Sequence, residues 1–169
     1  MTIQETETPF GNIIIVAHQD KIVYCNWEEE ECKRKLKKVL KIKNNLREKE
    51  EITIIENTIR QLKEYFSGTR RKFSIKYELN GTPFQIKVWE SISDLEYATT
   101  MTYKELAKKI GHEGSCRAVA QACGANPIAL IIPCHRIISL RGTGGYTGGL
   151  EKKRGLLRME SNNKLGLYE

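Results

Sequence analysis

No part of this chain reads as an export or membrane element. It has no apolar N-terminal run of the kind a leader carries, and nowhere does an apolar stretch approach 18 residues. Paired cysteines are missing as well. The five present (Cys25, Cys32, Cys116, Cys123 and Cys134) are odd in number and include no Cys-x-x-Cys pair, so no disulfide framework is expected. A zinc site is not expected either, because Cys25, Cys32 and His18 lie close in sequence without paired ligand spacing. Together these absences point to a reduced, cytoplasmic setting. No internal repeat or low-complexity segment stands out.

What remains is 169 residues, enough for one ordinary domain or two small ones. Lys and Arg number 28 against 21 Asp and Glu, a net charge of +7. That balance suits a polyanionic partner such as nucleic acid, although it also occurs in proteins that never touch DNA.

The first half reads as α/β. Residues 10–16 and 21–27 are β-rich runs separated by a polar segment, and they predict a hairpin. Residues 28–47 are dense in Lys and Glu, with Leu36, Val39, Leu40 and Ile42 as a partial apolar face, which predicts an exposed amphipathic helix. Residues 52–66 place Ile55, Ile59, Leu62 and Phe66 at helical spacing until Ser67-Gly68 stops them. Residues 73–79 alternate as a strand does. Asn80-Gly81-Thr82-Pro83 is a turn-rich junction, so the boundary falls there: an N-terminal α/β domain over 1–80 and a mostly α-helical domain over 81–169.

The second half changes character. Phe84, Val88, Trp89 and Ile92 share one side of a helix over 84–92. Thr102 is a plausible N-cap for a helix to Ile110, closed by Gly111. Ser115 is expected to cap another helix over 116–123. Two short helices joined by a tight Gly-containing turn read as a helix-turn-helix. Its second helix offers only Arg117 and Gln121 beside Ala118, Ala120 and Ala122, too few polar side chains for base-sequence readout. Small residues would instead let the backbone approach nucleic acid closely, with Arg117 as a wedge.

The most informative segment is Ile131-Ile132-Pro133-Cys134-His135-Arg136. A cysteine follows a proline at the end of an apolar run and precedes an imidazole and a guanidinium. The thiolate is the reactive form of cysteine, and neighbouring cations favour it. Proline fixes its own backbone angle and can aim the next side chain. In an extended chain, however, Cys134 and His135 would face opposite ways, so the backbone must bend there or a water must bridge them. A buried structural cysteine is the competing reading.

Taken together, Arg117-Ala118-Val119, Asn126-Pro127, Pro133-Cys134-His135-Arg136 and Tyr146-Thr147-Gly148-Gly149-Leu150 resemble the O6-alkylguanine-DNA alkyltransferases, or methylated-DNA–protein-cysteine methyltransferases. Gly81-Thr82-Pro83-Phe84-Gln85, Val88-Trp89, and Tyr103 before Glu105-Leu106-Ala107 match the same family. The likeness is dense over residues 81–160 and loose before it, chiefly through Tyr65-Phe66-Ser67-Gly68. It implies a ribonuclease-H-like N-terminal part and stoichiometric transfer of an alkyl group from guanine to Cys134, with the nucleotide flipped out of the stack. Cys134 is also the only cysteine flanked by a basic imidazole.

The resemblance further implies a role for each matching residue. His135 would reach Cys134 through a water, Glu160 would orient His135, and Tyr103 would meet a displaced phosphate and protonate the departing guanine. The expected DNA contacts are Tyr103, Arg117, Ala118, Gln121 and Arg136. The expected pocket residues are Asn126, Pro133, Tyr146, Thr147 and Gly148, with Asn126 tying the turn before the active-site segment. No cofactor and no metal are implied. The expected partner is double-stranded DNA containing O6-alkylguanine, no membrane is involved, and a monomer is expected. Two departures stand out. Leu95-Glu96-Tyr97-Ala98-Thr99 replaces a proline and glycine frequent in the family, which touches no catalytic position on this reading. Gly124-Ala125 stands where some relatives carry a basic residue.

Three rivals predict other behaviour. A non-catalytic binder of alkylated DNA would lack the cysteine. A transcription regulator would carry a more polar reading helix. A cysteine hydrolase would turn over and be recovered unmodified.

Overall fold

The structure is a computed structural model and describes residues 1–40 and 48–165. The chain divides into two compact units, Met1–Asn80 with Pro127–Ile131, and Gly81–Asn126 with Ile132–Glu169. Five residues of the second half therefore belong to the first unit, where a single break near residue 80 was expected. Among the described residues, no helix is long and apolar enough to cross a membrane.

The first unit is built on an antiparallel sheet, β1 (Thr2–Thr6), β2 (Ile13–His18) and β3 (Lys21–Trp27), in that order. β1 was not anticipated, because its Thr-Ile-Gln-Glu-Thr sequence is largely polar and exposed. β2 is the central strand and its Ile-Ile-Ile-Val-Ala run is buried on both faces. Ile14, Val16 and Tyr24 form one cluster with Leu36 and Val39 of α1 (Glu30–Val39). The alternate residues, Ile13 and Ile15, face the other way, toward α2 (Glu48–Phe66), which packs across the sheet and buries Ile55, Leu62 and Tyr65. The hairpin turn is Gln19-Asp20, with Gln19 at φ 58°. Of the helix expected over 28–47, residues 41–47, Ile42 among them, lie outside the described residues.

Residues 73–79 are not a strand. Only Tyr77 pairs with β3, through a single parallel bridge to Ile22. Helix α2 holds the start of the segment instead: Ser74 N–H donates to Gln61 Oε1 at 2.8 Å, and Phe73 packs on the Tyr65 ring at 5.4 Å. Further along the same edge, Cys25 N–H donates to Pro127 O at 3.0 Å and Ala129 N–H to Cys25 O at 2.6 Å. The edge of β3 is thus shared by two segments, neither of which continues as a ladder.

The second unit opens with α3 (Pro83–Ser93). Its start is fixed by Pro83 at the first turn and by a reciprocal capping box between Thr82 and Gln85. Trp89, buried on α3, donates its indole N–H to Ala122 O of α5 (Cys116–Gly124) at 2.8 Å. Helix α4 (Tyr103–Lys109) carries a second capping box, Thr102 with Glu105, and ends before Gly111 at φ 71°. Ser115 precedes α5 but makes no side-chain cap, contrary to expectation, because its backbone (φ −91°, ψ 28°) lies outside the extended region that aims a cap side chain at the first turn. Two-residue strands β4 (Met101–Thr102) and β5 (Ile137–Ile138) pair in parallel, and α6 (Leu150–Leu165) closes the unit.

A Cβ on Gly81 would sit 2.6 Å from the Trp89 ring, closer than real contacts allow. Gly81→Ala should therefore force the indole off its bond to Ala122 and lower unfolding stability by about 1–3 kcal/mol. A denaturant titration showing no loss would contradict this packing.

Candidate active site

Cys134, His135 and Arg136 form a single 3-10 turn between Pro133 and β5, and all three are buried. This tight turn supplies the bend that neighbouring Cys134 and His135 require. The parallel pairing of β4 with β5 then places the residues before β4 beside the turn, and Tyr103, the residue after β4, beside the start of the loop that follows β5. Pro133 is buried at φ −81° ahead of the turn.

The thiol is held from one side by Asn126, whose Nδ2 donates to Cys134 Sγ at 3.2 Å and to Ile132 O at 2.9 Å. Asn126 thus ties its own turn to the active-site segment. It also places an N–H donor on the sulfur, a contact that strengthens as the sulfur gains negative charge.

Behind the cysteine, His135 Nε2 and Glu160 Oε1 lie 2.8 Å apart, both fully buried. Arg136 donates Nη2–H to the same oxygen at 2.8 Å and Nε–H to Oε2 at 3.0 Å. Ala98 N–H adds a donor to Oε2 at 3.1 Å. Burial alone would push the Glu160 carboxyl up, but His135 and Arg136 outweigh it and hold it well below the usual carboxylate range. Burial pushes His135 the other way, below its ordinary value, despite the opposing pull of Glu160. The resting state is therefore a neutral imidazole on an ionised carboxylate. With its Nε2 proton donated to Glu160, His135 presents Nδ1 as the basic nitrogen, and that buried atom has no hydrogen-bond partner among the described residues.

Tyr103 hydroxyl donates to Gly145 O at 3.4 Å. Burial and the nearby Cys123 and Cys134 push its pKa up to about 12, so it keeps its proton at neutral pH. The loop after β5 comes against this ring at Gly144 (φ 72°), where a Cβ would lie 2.8 Å from Tyr103 Cε2. Thr147 Oγ1 donates to Gly124 O at 2.8 Å, fastening the loop to α5, with Tyr146 half-buried and Gly148 buried beside it. Arg117, Ala118 and Gln121 stand exposed on α5.

Arg136 does not sit where it was expected. It is 4 % exposed and committed to Glu160 and to Leu95 O, so it is withdrawn as a DNA contact. The departure at residues 95–99 also matters more than expected, because the Ala98 amide reaches Glu160 from a left-handed backbone (φ 54°), and left-handed geometry favours the glycine frequent in relatives. Sequence reasoning missed Lys153 altogether. Its side chain is fully buried and donates Nζ–H to Ile137 O and to Gly145 O, with Nζ 5.8 Å from the Tyr103 ring centre. Burial lowers its pKa to about 8, against the opposing influence of Cys134 and Cys123. The signal was available: Lys153, Leu156 and Glu160 share one helical face at i, i+3 and i+7, although the charged run around Lys153 reads as a solvated surface. No group of three or more His, Cys, Asp and Glu side chains that could hold a metal occurs among the described residues.

A bent Pro-Cys-His turn with an imidazole–carboxylate pair behind the thiol, beside a helix-turn-helix, defines a cysteine-dependent protein of the DNA-processing kind. Two family matches divide the chain: the ribonuclease-like domain of 6-O-methylguanine DNA methyltransferase over residues 2–79, and its DNA binding domain over 83–162. A methylated-DNA–protein-cysteine methyltransferase of Methanosarcina acetivorans is 37 % identical over 157 residues, covering 92 % of this chain and 96 % of the relative. A solved O6-methylguanine methyltransferase of Mycobacterium tuberculosis superposes with a TM-score of 0.81 at 31 % identity, covering 99 % of each chain. The same organism's protein in complex with DNA gives 0.79 at 30 % identity, over 95 % of this chain and 93 % of that one. The chain belongs to the 6-O-methylguanine DNA methyltransferase family, with a ribonuclease-like α/β unit and a mostly helical DNA-binding unit.

The buried pair makes stability depend on pH. His135 is lowered in the folded state, so unfolding takes up a proton below the unfolded value near 6.5, and Glu160 adds the same tendency below about 4.5. The pair's contribution to stability should be full above about pH 6.5 and decline steadily beneath it. A His135→Gln variant should flatten the decline between pH 6.5 and 5 in denaturant titrations. An equal slope in both proteins would mean that His135 is protonated in the fold.

Proposed function

We propose that this protein repairs DNA by moving an alkyl group from O6 of guanine to Sγ of Cys134, once per molecule. The observation that carries the assignment of residues is the buried His135–Glu160 pair directly behind a cysteine whose sulfur already meets a donor from Asn126. Family membership supplies the reaction class.

The thiol proton passes toward Nδ1 of neutral His135, and the imidazolium that forms is matched by the Glu160 anion. The thiolate attacks the alkyl carbon, the carbon–oxygen bond breaks, and its electron pair leaves with guanine. Tyr103, still protonated at neutral pH, supplies a proton to the departing base. The target oxygen lies inside the base stack, so the nucleotide must swing out, with Arg117 entering the vacated space from exposed α5 and Tyr146, Thr147 and Gly148 lining the pocket. The small side chain of Ala118 and the single amide of Gln121 favour contact with the DNA backbone over base reading, so binding should weaken with salt and depend little on sequence. The species acting is a monomer on duplex DNA. The resulting thioether has no good leaving group, which is why the reaction ends after one event.

Incubation with a duplex carrying one O6-methylguanine should add a single methyl to the intact protein mass, mapping to Cys134 and absent from Cys134→Ala. An unchanged mass with the duplex still bound would instead indicate a recognition protein. Because Cys134 is only 8 % exposed and its sulfur faces Asn126, the added methyl must displace packed atoms. The methylated form should be less stable by about 1–3 kcal/mol. A thermal melt no lower than that of the unmodified protein would refute that packing argument.

A further inference from the structure

Arg136 is a nearly buried charged side chain with a place in the site that DNA contact does not explain. Glu160 accepts from His135 Nε2 and Arg136 Nη2 on Oε1, and from Arg136 Nε and the Ala98 amide on Oε2. A carboxylate offers about four lone-pair positions, so these donors fill it. The guanidinium is in turn held from further sides. Its Nη1–H donates to Leu95 O at 2.7 Å, and its carbon lies 5.6 Å from the centre of the Tyr97 ring, whose hydroxyl accepts from Asn163 of α6 at 3.1 Å.

We propose that Arg136 is a positioning residue that acts through Glu160 to fix the charge and tautomer of His135, leaving Nδ1 as the base. Arginine never gives up its proton, so every group around Glu160 except His135 is an obligatory donor. Protonating Glu160 would turn an oxygen from acceptor to donor among those donors, so the carboxylate stays ionised. His135 Nε2, 2.8 Å from an oxygen that can only accept, must then carry the proton. Burial acts most strongly on His135, and the charged groups acting on it are Glu160 and Lys153 from α6 and Arg136 from its own turn. Arg136 and Lys153 oppose a charged imidazole, and Glu160 favours it. Arg136 therefore has two effects: it aligns the acceptor, and it adds to burial in keeping the base neutral until the thiol gives up its proton. This inference rests on the alkyl-transfer reading, in which His135 is that base.

The test uses the full chain, with Arg136→Met and Arg136→Lys beside the wild type, and two readouts. Imidazole nitrogen NMR of the unreacted protein, which has only three histidines, reports the tautomer and titration of His135 without any reaction. Single-turnover methyl transfer from an O6-methylguanine duplex, measured against pH, reports the base. The wild type should show the Nε2–H tautomer. In Arg136→Met the imidazole loses a repelling cation and gains affinity for a proton, so the acid limb of the rate profile should move up by about one pH unit. Its rate should then fall roughly tenfold at pH values below the wild-type limb but less than about threefold at pH 9. Arg136→Lys keeps the charge and should return the limb to its wild-type position, even if slower throughout.

A uniform loss at every pH in Arg136→Met, with His135 titrating as in the wild type, would mean that Arg136 is only structural. If Arg136→Met does not fold, Arg136→Lys decides: a displaced limb or mixed tautomers there overturns the inference, and an unmoved limb supports it. A wild-type protein that transfers methyl with His135 as the Nδ1–H tautomer would sink this inference and leave the alkyl-transfer reading standing. The Nε2–H tautomer in a protein that transfers nothing would do the reverse.

Discussion

A carboxylate taken out of water must find replacements for the hydration it loses, and Glu160 finds them from two separate stretches of chain. His135 and Arg136 come from the active-site turn, and the Ala98 amide from the turn before β4. Leaving that charge uncompensated would cost several kcal/mol, so these stretches cannot drift apart independently. The contact that prepares the base is therefore also the contact that closes the second unit. Because β4 leads straight from the Ala98 turn into Tyr103 and α4, the same carboxylate fixes where the helix-turn-helix starts relative to the thiol.

The reactive groups are arranged around that anion with opposite tendencies. Burial keeps His135 neutral and Tyr103 protonated, so at rest one can accept a proton and the other can give one. Lys153 brings a further buried amine to the wall between Tyr103 and the loop at Gly145, with two backbone carbonyls as its acceptors. Two titratable groups pushed toward different protonation states in one cavity are the usual means by which a site handles acid and base chemistry at one pH.

Local rules were enough wherever the interaction is local. Thr102, read as an N-cap, does cap α4, and the pairs Thr82 with Gln85 and Thr102 with Glu105 lie only three residues apart, although neither was anticipated as a capping box. The Cys134-His135 adjacency was equally legible, whereas the Asn126 turn, whose partners lie six and eight residues on, was expected only through the family resemblance. What could not be read depends on distant partners. Arg136 resembles a surface cation until a carboxylate 24 residues on claims it. Residues 73–79 alternate as a strand, yet Gln61 of α2 takes the Ser74 amide that a ladder would use and Tyr65 packs on Phe73. Residues 127–131 are apolar enough for any core, and only the free edge at Cys25 assigns them to the first unit. Ala98 shows the same limit: its strain is invisible in sequence, because the backbone angle is imposed by where its amide must point.

The central claim is that Cys134 is activated by an imidazole whose basicity depends on the ionised Glu160. Its most direct test is the single-turnover rate of methyl transfer by Glu160→Gln, whose neutral amide keeps the shape and removes the charge, measured near pH 7.5 on protein shown to be folded by its thermal melt. A loss on the order of 10²-fold or more is predicted, the range over which a positioned base contributes. A rate within about threefold of the wild type would show that the thiol reacts without help from the buried pair.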